Sequence, residues 1–403
     1  MDGKGRETAP PELHIAVLTQ HFPPEYTGAG IQLVRLIESL QGRGVAIDVL
    51  APAPPEPQEG SDPRGDRVRV WRFAAPRRRL ARELVLGLRA AIWLLVHSRW
   101  DVLHLIDFSY FTMLPLLVAR LRRRPTLVKT TLFARSPTPS PGALLLGRVR
   151  GFGYRSSDVV VALSEALEEQ LRDEYRVSSG ILRIPNGVDM ELFRPVSDEG
   201  RVAQRRELGL PERAFVVVTC GMLTARKNAL ALVEAAARLR HRPVRLILAG
   251  PPGWEGDYTE QLDRAIRALP DGVEAERPGD LEASRIAELL RSADVYTLTS
   301  RAEGLPNSLL EAMASGIPSV ATDIPGCCDL LAQGGGILVP LDDLDALAAA
   351  LDRLAANPGE CRALGADGHR LVESQYSMKN VAERYLETYQ QLTGSSRAAP
   401  PGP

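Results

Sequence analysis

Two glutamates eight positions apart are the first residues of this chain that suggest chemistry. Residues 300–316 read SRAEGLPNSLLEAMASG, with Glu303 before a Gly-Leu-Pro-Asn turn and Glu311 in the apolar helix expected after it. At a rise of about 1.5 Å per helical residue, the carboxylates are expected roughly 10–12 Å apart. That is too far for one proton transfer and suits the two ends of a nucleotide sugar. The alternative is structural, with Glu303 as a partner of the helix dipole and Glu311 as a cap of neighbouring backbone.

The turn between the glutamates predicts an anion site. Pro306 or its neighbour can take the first helical position, with Asn307 or Ser308 helping to cap the helix. The N–H groups of that first turn and the helix dipole favour an anion such as a diphosphate. Gly304 allows close backbone approach. A buried Glu311 needs hydrogen-bond donors, and ligand hydroxyls would serve.

A second candidate is GMLTARKN at 221–228, directly after a predicted strand. The chain contains 45 Arg but only four Lys, so Lys227 beside Arg226 is unusual. A compact ammonium can approach a phosphate where a guanidinium does not fit. The alternative, a surface lysine at a helix start, would be poorly matched to the helix dipole. The pattern therefore favours phosphate binding.

These residues lie within two series of alternating strands and helices. The first series has predicted strands at 15–18, 45–50, 102–106, 126–131 and 158–163, a Gly/Pro loop at 23–30 and a helix at 31–40. The second has strands at 215–220, 244–250, 294–300 and 319–323, helices at 228–240, 257–269 and 283–292, and a helical segment 341–393 broken near Asn357-Pro358. Such alternation predicts parallel sheets covered by helices. Ligands bind at the carboxyl ends of the strands of such sheets, which places the predicted site in a cleft between two domains.

The length of 403 residues exceeds the size at which single cores stop growing, so two domains are expected. The expected N-terminal domain covers 13–192, with 376–393 crossing back to it, and the C-terminal domain covers 193–375. Residues 51–66 are predicted to be a loop and 183–195 a linker. Residues 1–12 and 394–403 are predicted to be disordered.

The chain resembles the retaining GT-B glycosyltransferases of family 4, also called glycosyl transferases group 1, from about residue 14 to 390. The resembling stretches are PPEYTGAG, DVVVALSEAL, IPNGVDMELFRP, GMLTARKN, LILAG and ADVYTLTSRAEGLPNSLLEAMASGIPSVATD. The two-glutamate element with EAMASGIPSVAT is highly specific, IPNGVD is strong support, and the glycine loop alone is weak. The resemblance implies an α/β GT-B fold, with two Rossmann-like doubly wound domains facing across a cleft. It also implies that the first domain binds the acceptor and the second the nucleotide sugar.

The resemblance further implies a role for each site residue. Glu303 contacts hydroxyls of the donor sugar, Lys227 holds the diphosphate as the leaving group develops charge, and Glu311 binds the ribose. The reaction it implies retains the anomeric configuration and uses no metal or other cofactor, because cationic side chains and helix dipoles replace the metal. The remaining donor contacts it implies are Arg226, Gly221 and the backbone amides of Gly304, Leu305 and Asn307, while Gly28 and Gly30 let the first-domain loop approach the phosphate and the acceptor.

The sequence departs from the family pattern at three places. Met222 stands where an arginine is usual two residues after the strand, and Arg226 is the candidate to replace its charge. Leu132 or Phe133 stands where many members have a histidine, and Asp329 replaces a common glutamate. The first two departures support a second reading, a nucleotide-binding but non-catalytic scaffold of a glycan-assembly complex. A GT-B nucleotide-sugar epimerase is the third.

Composition favours a globular protein, with 44% hydrophobic and 25% charged residues. The four cysteines show no CxxC pair, so neither a metal site nor a disulfide framework is expected, and a reducing cytoplasm fits. Residues 1–12 are polar and show no signal peptide. His104, on a predicted strand, is interpreted as a buried structural histidine.

Charge divides unevenly along the chain. Residues 1–195 carry 27 Lys and Arg against 21 Asp and Glu, and residues 64–100 hold ten Arg against two acids. The segment 84–96, LVLGLRAAIWLLV, is too short to span a bilayer. It is interpreted as a buried core helix, and the alternative is an amphipathic helix on a membrane. The nearby arginines and those at 122–124 suggest docking on anionic lipid near a lipid-linked acceptor, and the alternative is a solvated arginine-rich surface. Nucleic-acid binding is not expected, because the arginine runs are not interleaved with aromatic residues suited to stacking. The expected acceptor is a glycan, a lipid-linked or a small molecule in cell-surface polysaccharide or glycolipid biosynthesis.

Overall fold

The computed structural model describes residues 13–394 except 25–26, 55–66, 77, 132–140 and 254–255. The predicted disorder of 1–12 and of 395–403, most of the 51–66 loop, and the positions Leu132 and Phe133 lie outside the described residues. Two compact units emerge from the contacts within the described part. The first unit comprises the described residues up to Thr131, residues 141–184 and the described residues from Val381 onward. The second unit comprises the described residues from Pro185 to Asn380. The sequence analysis places the domain boundaries at 192/193 and 375/376, whereas the two units meet at 184/185 and 380/381 in the chain.

The strands of the first unit are β1 (Leu13–Leu18), β2 (Val45–Pro52), β3 (Val68–Phe73), β4 (Val102–Ile106), β5 (Thr126–Lys129), β6 (Val159–Ala162) and β7 (Ile181–Arg183). Those of the second are β8 (Phe215–Cys220), β9 (Val244–Ala249), β10 (Val273–Gly279), β11 (Val295–Leu298), β12 (Ser319–Thr322) and β13 (Gly336–Val339). Each unit has one parallel sheet, ordered β3-β2-β1-β4-β5-β6-β7 and β10-β9-β8-β11-β12-β13. Parallel strands joined through helices confirm the α/β prediction.

The helices of the first unit are α1 (Gly28–Leu40), α2 (Arg79–Val96), α3 (Met113–Leu121), α4 (Pro141–Arg155) and α5 (Glu165–Asp173), with a 3-10 turn at Tyr110–Thr112. The second unit has α6 (Asp198–Glu207), α7 (Ala229–Ala236), α8 (Gly256–Arg267), α9 (Ala283–Ser292), α10 (Asn307–Ala314), α11 (Pro325–Leu331), α12 (Leu344–Ala356) and α13 (Pro358–Gln375). The last helix is α14 (Met378–Leu392), which belongs to the first unit from Val381 onward. The predicted segment 341–393 therefore has a second break, at 376–377, besides the one at Asn357.

The glycine loop predicted at 23–30 is only partly a loop. Gly28, Ala29 and Gly30 form the first turn of α1, because Thr27 is extended and its side chain accepts a hydrogen bond from the Gly30 N–H at 3.1 Å. A threonine N-cap is a sufficient reason for the earlier helix start. The prediction of a helix beginning at Ile31 was therefore three residues late.

The core of the second unit lies on the sheet around its central strand β8. All six residues of β8 are buried, and α7 and α12 pack apolar side chains onto the same cluster. Strands buried on both faces read as continuous apolar runs, and FVVVTC is such a run. This core fixes the carboxyl ends of β8 and β11, the edge at which the candidate site lies.

Candidate active site

The candidate site lies where the order of the second sheet reverses. β8 has β9 on one side and β11 on the other. From β8 the chain adds β9 and β10 in one direction, and it then adds β11, β12 and β13 in the opposite direction. Loops that follow two such strands separate and leave a crevice at their carboxyl ends. Lys227 lies in the loop after β8, and Glu303 lies in the loop after β11.

Glu303 and two cations form the centre of the site. Oε1 of Glu303 lies 2.7 Å from Nζ of Lys227 and 3.1 Å from Nη1 of Arg226. The Glu303 side chain is 8% exposed, whereas Lys227 and Arg226 are 19% and 43% exposed. Burial alone raises the pKa of Glu303, but the charges of Lys227 and Arg226 outweigh it and hold that pKa below its ordinary value. The glutamate is therefore a carboxylate at neutral pH, beside two cations that reach toward solvent.

Backbone contacts tie the two loops together. The Arg226 guanidinium donates to the Ala302 carbonyl at 2.7 Å, and the Arg301 N–H donates to the Arg226 carbonyl at 2.8 Å. Thr299 adds a hydroxyl bond to the Asn228 carbonyl at 2.7 Å. Because these bonds run in both directions, the position of Glu303 relative to Lys227 is set by backbone as well as by charge.

Gly221 lets the backbone and Lys227 come close. A Cβ added at Gly221 would lie 3.6 Å from Cε of Lys227, and the residue has a φ of 137°. Gly250, after β9, has a φ of 143°, and a Cβ there would lie 2.1 Å from the Gly221 carbonyl oxygen. Only glycine fits this approach without a shift of the backbone. The loop after β9 thus supports the loop that carries Lys227.

The amino end of α10 follows the prediction that Pro306 or its neighbour takes the first helical position. Pro306 is the N-cap residue, makes no side-chain capping bond, and is followed by Asn307 as the first helical residue. The side chains of Asn307 and Ser308, which were expected to help cap the helix, have partners in other elements. Asn307 Oδ1 accepts from the Asn186 amide at 2.8 Å, and Ser308 accepts from the Tyr296 hydroxyl at 2.7 Å. The N–H groups of this turn are left to backbone, solvent or a ligand.

Glu311 is half-buried, not buried as its apolar neighbours suggested. The flanking Leu309, Leu310, Ala312 and Met313 are all buried, so Glu311 occupies the open edge of α10. It lies close enough to Cys220 to help raise the pKa of that thiol, after the larger effect of burial. Cys220 ends β8, so Glu311 lies near the carboxyl end of the strand that precedes Gly221 and Lys227.

The other predicted residues belong to other elements of the chain. Gly28 and Gly30 belong to the first unit, in the opening turn of α1. Asp329 lies on α11. His104 is fully buried in β4, 2.8 Å from the Tyr389 hydroxyl, which confirms its structural reading. Within the described ranges, no group of three or more His, Cys, Asp or Glu side chains is arranged to hold a metal ion.

Two family models match this chain. One, described as glycosyl transferases group 1, matches residues 201–370, and the other, described as a glycosyl transferase 4-like domain, matches residues 27–187. The chain belongs to the glycosyl transferases group 1 family. The glycosyltransferase has the GT-B fold, with two Rossmann-like domains.

Three of the known proteins similar to this glycosyltransferase align with nearly its full length. It is 27% identical to D-inositol 3-phosphate glycosyltransferase of Kineococcus radiotolerans, over 97% of this chain and 96% of that protein. The structure of sucrose-phosphate synthase from Thermosynechococcus elongatus has a TM-score of 0.80 at 24% identity, over 95% of this chain and 100% of that one. Anabaena HepE in complex with UDP and glucose has a TM-score of 0.74 at 20% identity, over 94% and 100%.

Two residues of this glycosyltransferase site were missed by sequence reasoning. Asn186 is buried, and its amide donates to the Leu305 carbonyl at 3.2 Å as well as to Asn307, so it fixes the turn before α10. Gly250 supports Gly221 as described. Both lie in stretches that carry the family resemblance, IPNGVD and LILAG. That resemblance was the available signal, but a role for either residue depends on contacts more than 25 residues distant in sequence.

Proposed function

We propose that the protein is a retaining glycosyltransferase that moves a sugar from a nucleotide-diphosphate donor to an acceptor. The observation that carries the proposal is the cluster of Lys227, Arg226 and Glu303 at the switch point of the second sheet. One carboxylate and two cations at such a crevice suit a ligand with hydroxyls at one end and a diphosphate next to them.

Charge compensation at the diphosphate is the proposed source of catalysis. When the bond to the sugar breaks, negative charge develops on the leaving diphosphate, and preorganised cations stabilise it. Lys227 and Arg226 supply these cations, and the N–H groups at the start of α10 add a dipole of the same sign. We propose that this arrangement replaces a metal ion and that no other cofactor takes part.

The two glutamates are proposed to hold the two ends of the donor. Glu303 accepts hydrogen bonds from hydroxyls of the transferred sugar, because its carboxylate is charged and nearly buried. Glu311 accepts hydrogen bonds from the ribose, because it occupies the open edge of α10 near the end of β8. Gly221, Gly304, Leu305 and Asn307 supply backbone contacts in this scheme.

UDP is the proposed nucleotide, since HepE, which shares the fold, binds UDP and glucose. The proposed acceptor is a glycan, a lipid-linked or a small molecule in cell-surface polysaccharide or glycolipid biosynthesis, bound by the first domain near Gly28 and Gly30. The four cysteines are free, which fits the proposed cytoplasmic location.

The donor is tested first by thermal unfolding of the full chain with a panel of nucleotide-diphosphate sugars, and then by transfer assays with the donor that stabilises it most. We expect a UDP-sugar to raise Tm and transfer to persist in excess chelator. NMR of the product should show the anomeric configuration of the donor. Glu303→Ala should abolish transfer, whereas Glu234→Ala, at an exposed acid of the same unit, should not. Undiminished transfer by Glu303→Ala would contradict the role proposed for Glu303.

Met222 favours one competing function, a nucleotide-binding scaffold without catalysis, because an arginine is usual at its position in the family. Hydrolysis of the donor by the isolated protein, lost in Lys227→Ala, would exclude the scaffold. Donor binding with neither hydrolysis nor transfer would support it. The epimerase alternative predicts instead that the recovered donor carries an altered sugar.

A further inference from the structure

Helices α2 and α3 of the first unit share an exposed apolar face. Its members are large aliphatic side chains that are each between 43% and 77% exposed. They are Leu84, Leu88, Ile92, Leu95 and Val96 of α2, and Leu114, Leu117 and Leu121 of α3. We call this set the α2–α3 face. Groups of exposed apolar side chains on a folded domain mark binding surfaces, whereas single exposed apolar residues are normal.

The α2–α3 face belongs to well-packed helices. The opposite side of α2 is buried through Leu86, Ala90 and Leu94. A Cβ at Gly87 would lie 2.3 Å from the Phe111 carbonyl oxygen, so α2 presses directly on the turn that precedes α3. The Arg122 guanidinium bonds to the Leu95 carbonyl and joins the ends of the two helices. The sequence prediction of a core helix at 84–96 was therefore wrong for one side of α2 only.

The exposed charge on α2 and α3 is positive. Arg89 is exposed on α2 between Leu88 and Ile92, and Arg120 and Arg123 are exposed at the end of α3. The single acidic residue of α2, Glu83, is 8% exposed and accepts from Ser109, and α3 contains no acidic residue. Exposed aliphatic side chains on helices whose exposed charged residues are arginines match the acyl boundary and headgroups of an anionic bilayer.

We propose that the α2–α3 face docks this protein on an anionic phospholipid membrane. The aliphatic side chains enter the boundary between headgroups and acyl chains, and the arginines contact lipid phosphates. A second copy of the chain fits less well, since two-fold pairing of this face brings the arginines of the two copies together. No described helix is long and apolar enough to cross a bilayer, so the contact proposed is with the membrane surface.

Sedimentation of the purified full chain with vesicles tests the proposal. Vesicles of pure phosphatidylcholine are compared with vesicles that contain phosphatidylcholine and phosphatidylglycerol in equal parts. We expect binding to the mixed vesicles that weakens with salt, and little binding to the neutral ones. The triple variant Leu88→Glu, Ile92→Glu, Leu117→Glu should bind the mixed vesicles at least about tenfold more weakly.

A matched variant separates the face from net charge. Val196→Glu, Val202→Glu, Leu341→Glu adds the same three charges at exposed positions of the second unit and should retain most of the binding. Equal loss in both triple variants, equal binding to both vesicle types, or no binding by the unmodified chain would each overturn the proposal. So would a dimer in size-exclusion chromatography that the first triple variant alone dissociates. Glu303→Ala should bind vesicles normally, so failure of the proposed transfer reaction would be seen separately.

Discussion

Nζ of Lys227 and Oε1 of Glu303 lie 2.7 Å apart, although they are 76 positions apart in the chain. They meet because β8 and β11 are neighbours in a parallel sheet, so the loops that follow them leave from the same edge. Glu303 is 8% exposed and Lys227 is 19% exposed. We propose that this carboxylate and this ammonium lie where the sugar of the donor joins its diphosphate. The following predictions test how this arrangement and its supports work.

Replacement of Lys227 should remove charge stabilisation from the leaving group. Lys227→Ala is expected to lower kcat for transfer by about 100-fold, the usual effect of losing one preorganised transition-state contact. Steady-state kinetics with the identified donor measure it. Lys379→Ala, at an exposed lysine of α14, is the control and should keep full activity. Equal kcat in Lys227→Ala and the unmodified chain would contradict the role.

Loss of Asn186 should loosen the turn before α10. Its amide is buried and serves both the Leu305 carbonyl and Asn307, so Asn186→Ala should cost about 1–3 kcal/mol of unfolding free energy and raise KM for the donor. Urea unfolding and kinetics measure the two effects. Asn380→Ala, at a partly exposed amide, should change KM little. An unchanged KM in Asn186→Ala would show that the turn does not position the donor.

A methyl group at Gly250 should displace the loop that carries Lys227. The added Cβ meets the Gly221 carbonyl at 2.1 Å in a backbone conformation that favours glycine, so Gly250→Ala should unfold at lower urea and lose the donor-induced rise in Tm. Gly209→Ala is matched, because its φ is 67° and its Cβ meets nothing within 4 Å. That control should cost only about 1–2 kcal/mol and leave donor binding intact.

Stability should depend on pH through His104. Burial, followed by the charge of Lys129, lowers the pKa of this histidine from 6.5 to about 3. Below pH 6.5 the unfolded chain therefore takes up a proton that the folded chain does not. The stabilisation is complete above pH 6.5 and is lost as pH falls from 6.5 toward 3.

Urea unfolding at several pH values between 7 and 4 measures this loss. His104→Gln is expected to flatten the dependence, whereas His14→Gln, at a half-buried histidine, should retain it. An unchanged slope in His104→Gln would assign the pH dependence to other groups.

The four strands that were not predicted from the sequence all lie at the edge of a sheet. β3, β7, β10 and β13 are the edges of the two sheets, and most of their residues are half-buried or exposed. Central strands such as β8 are buried on both faces and therefore carry continuous apolar runs that can be recognised locally. Segments such as VEAERPG lack that pattern, because one neighbour and part of one face are solvent.

Some features of the site were likewise predictable from local sequence, and others were not. Sequence order and strand pattern were enough to predict that Lys227 and Glu303 follow strands of one parallel sheet, since a strand and the turn after it are local. The exposure of Glu311 was not predictable from its apolar neighbours, because a helix that is nearly apolar all round still has one edge where no element packs. The actual start of α1 depended on the side chain of Thr27, which caps that helix.

By itself, the sequence determined the α/β class, the central strands and the charged residues that follow them, because each of these depends on a few neighbouring residues. Only the tertiary structure decided that Lys227 contacts Glu303, that Asn186 holds the turn before α10, and that one face of α2 and α3 remains uncovered. These features depend on which surfaces meet across long separations in the chain, and hydrophobic pattern alone does not specify those partners.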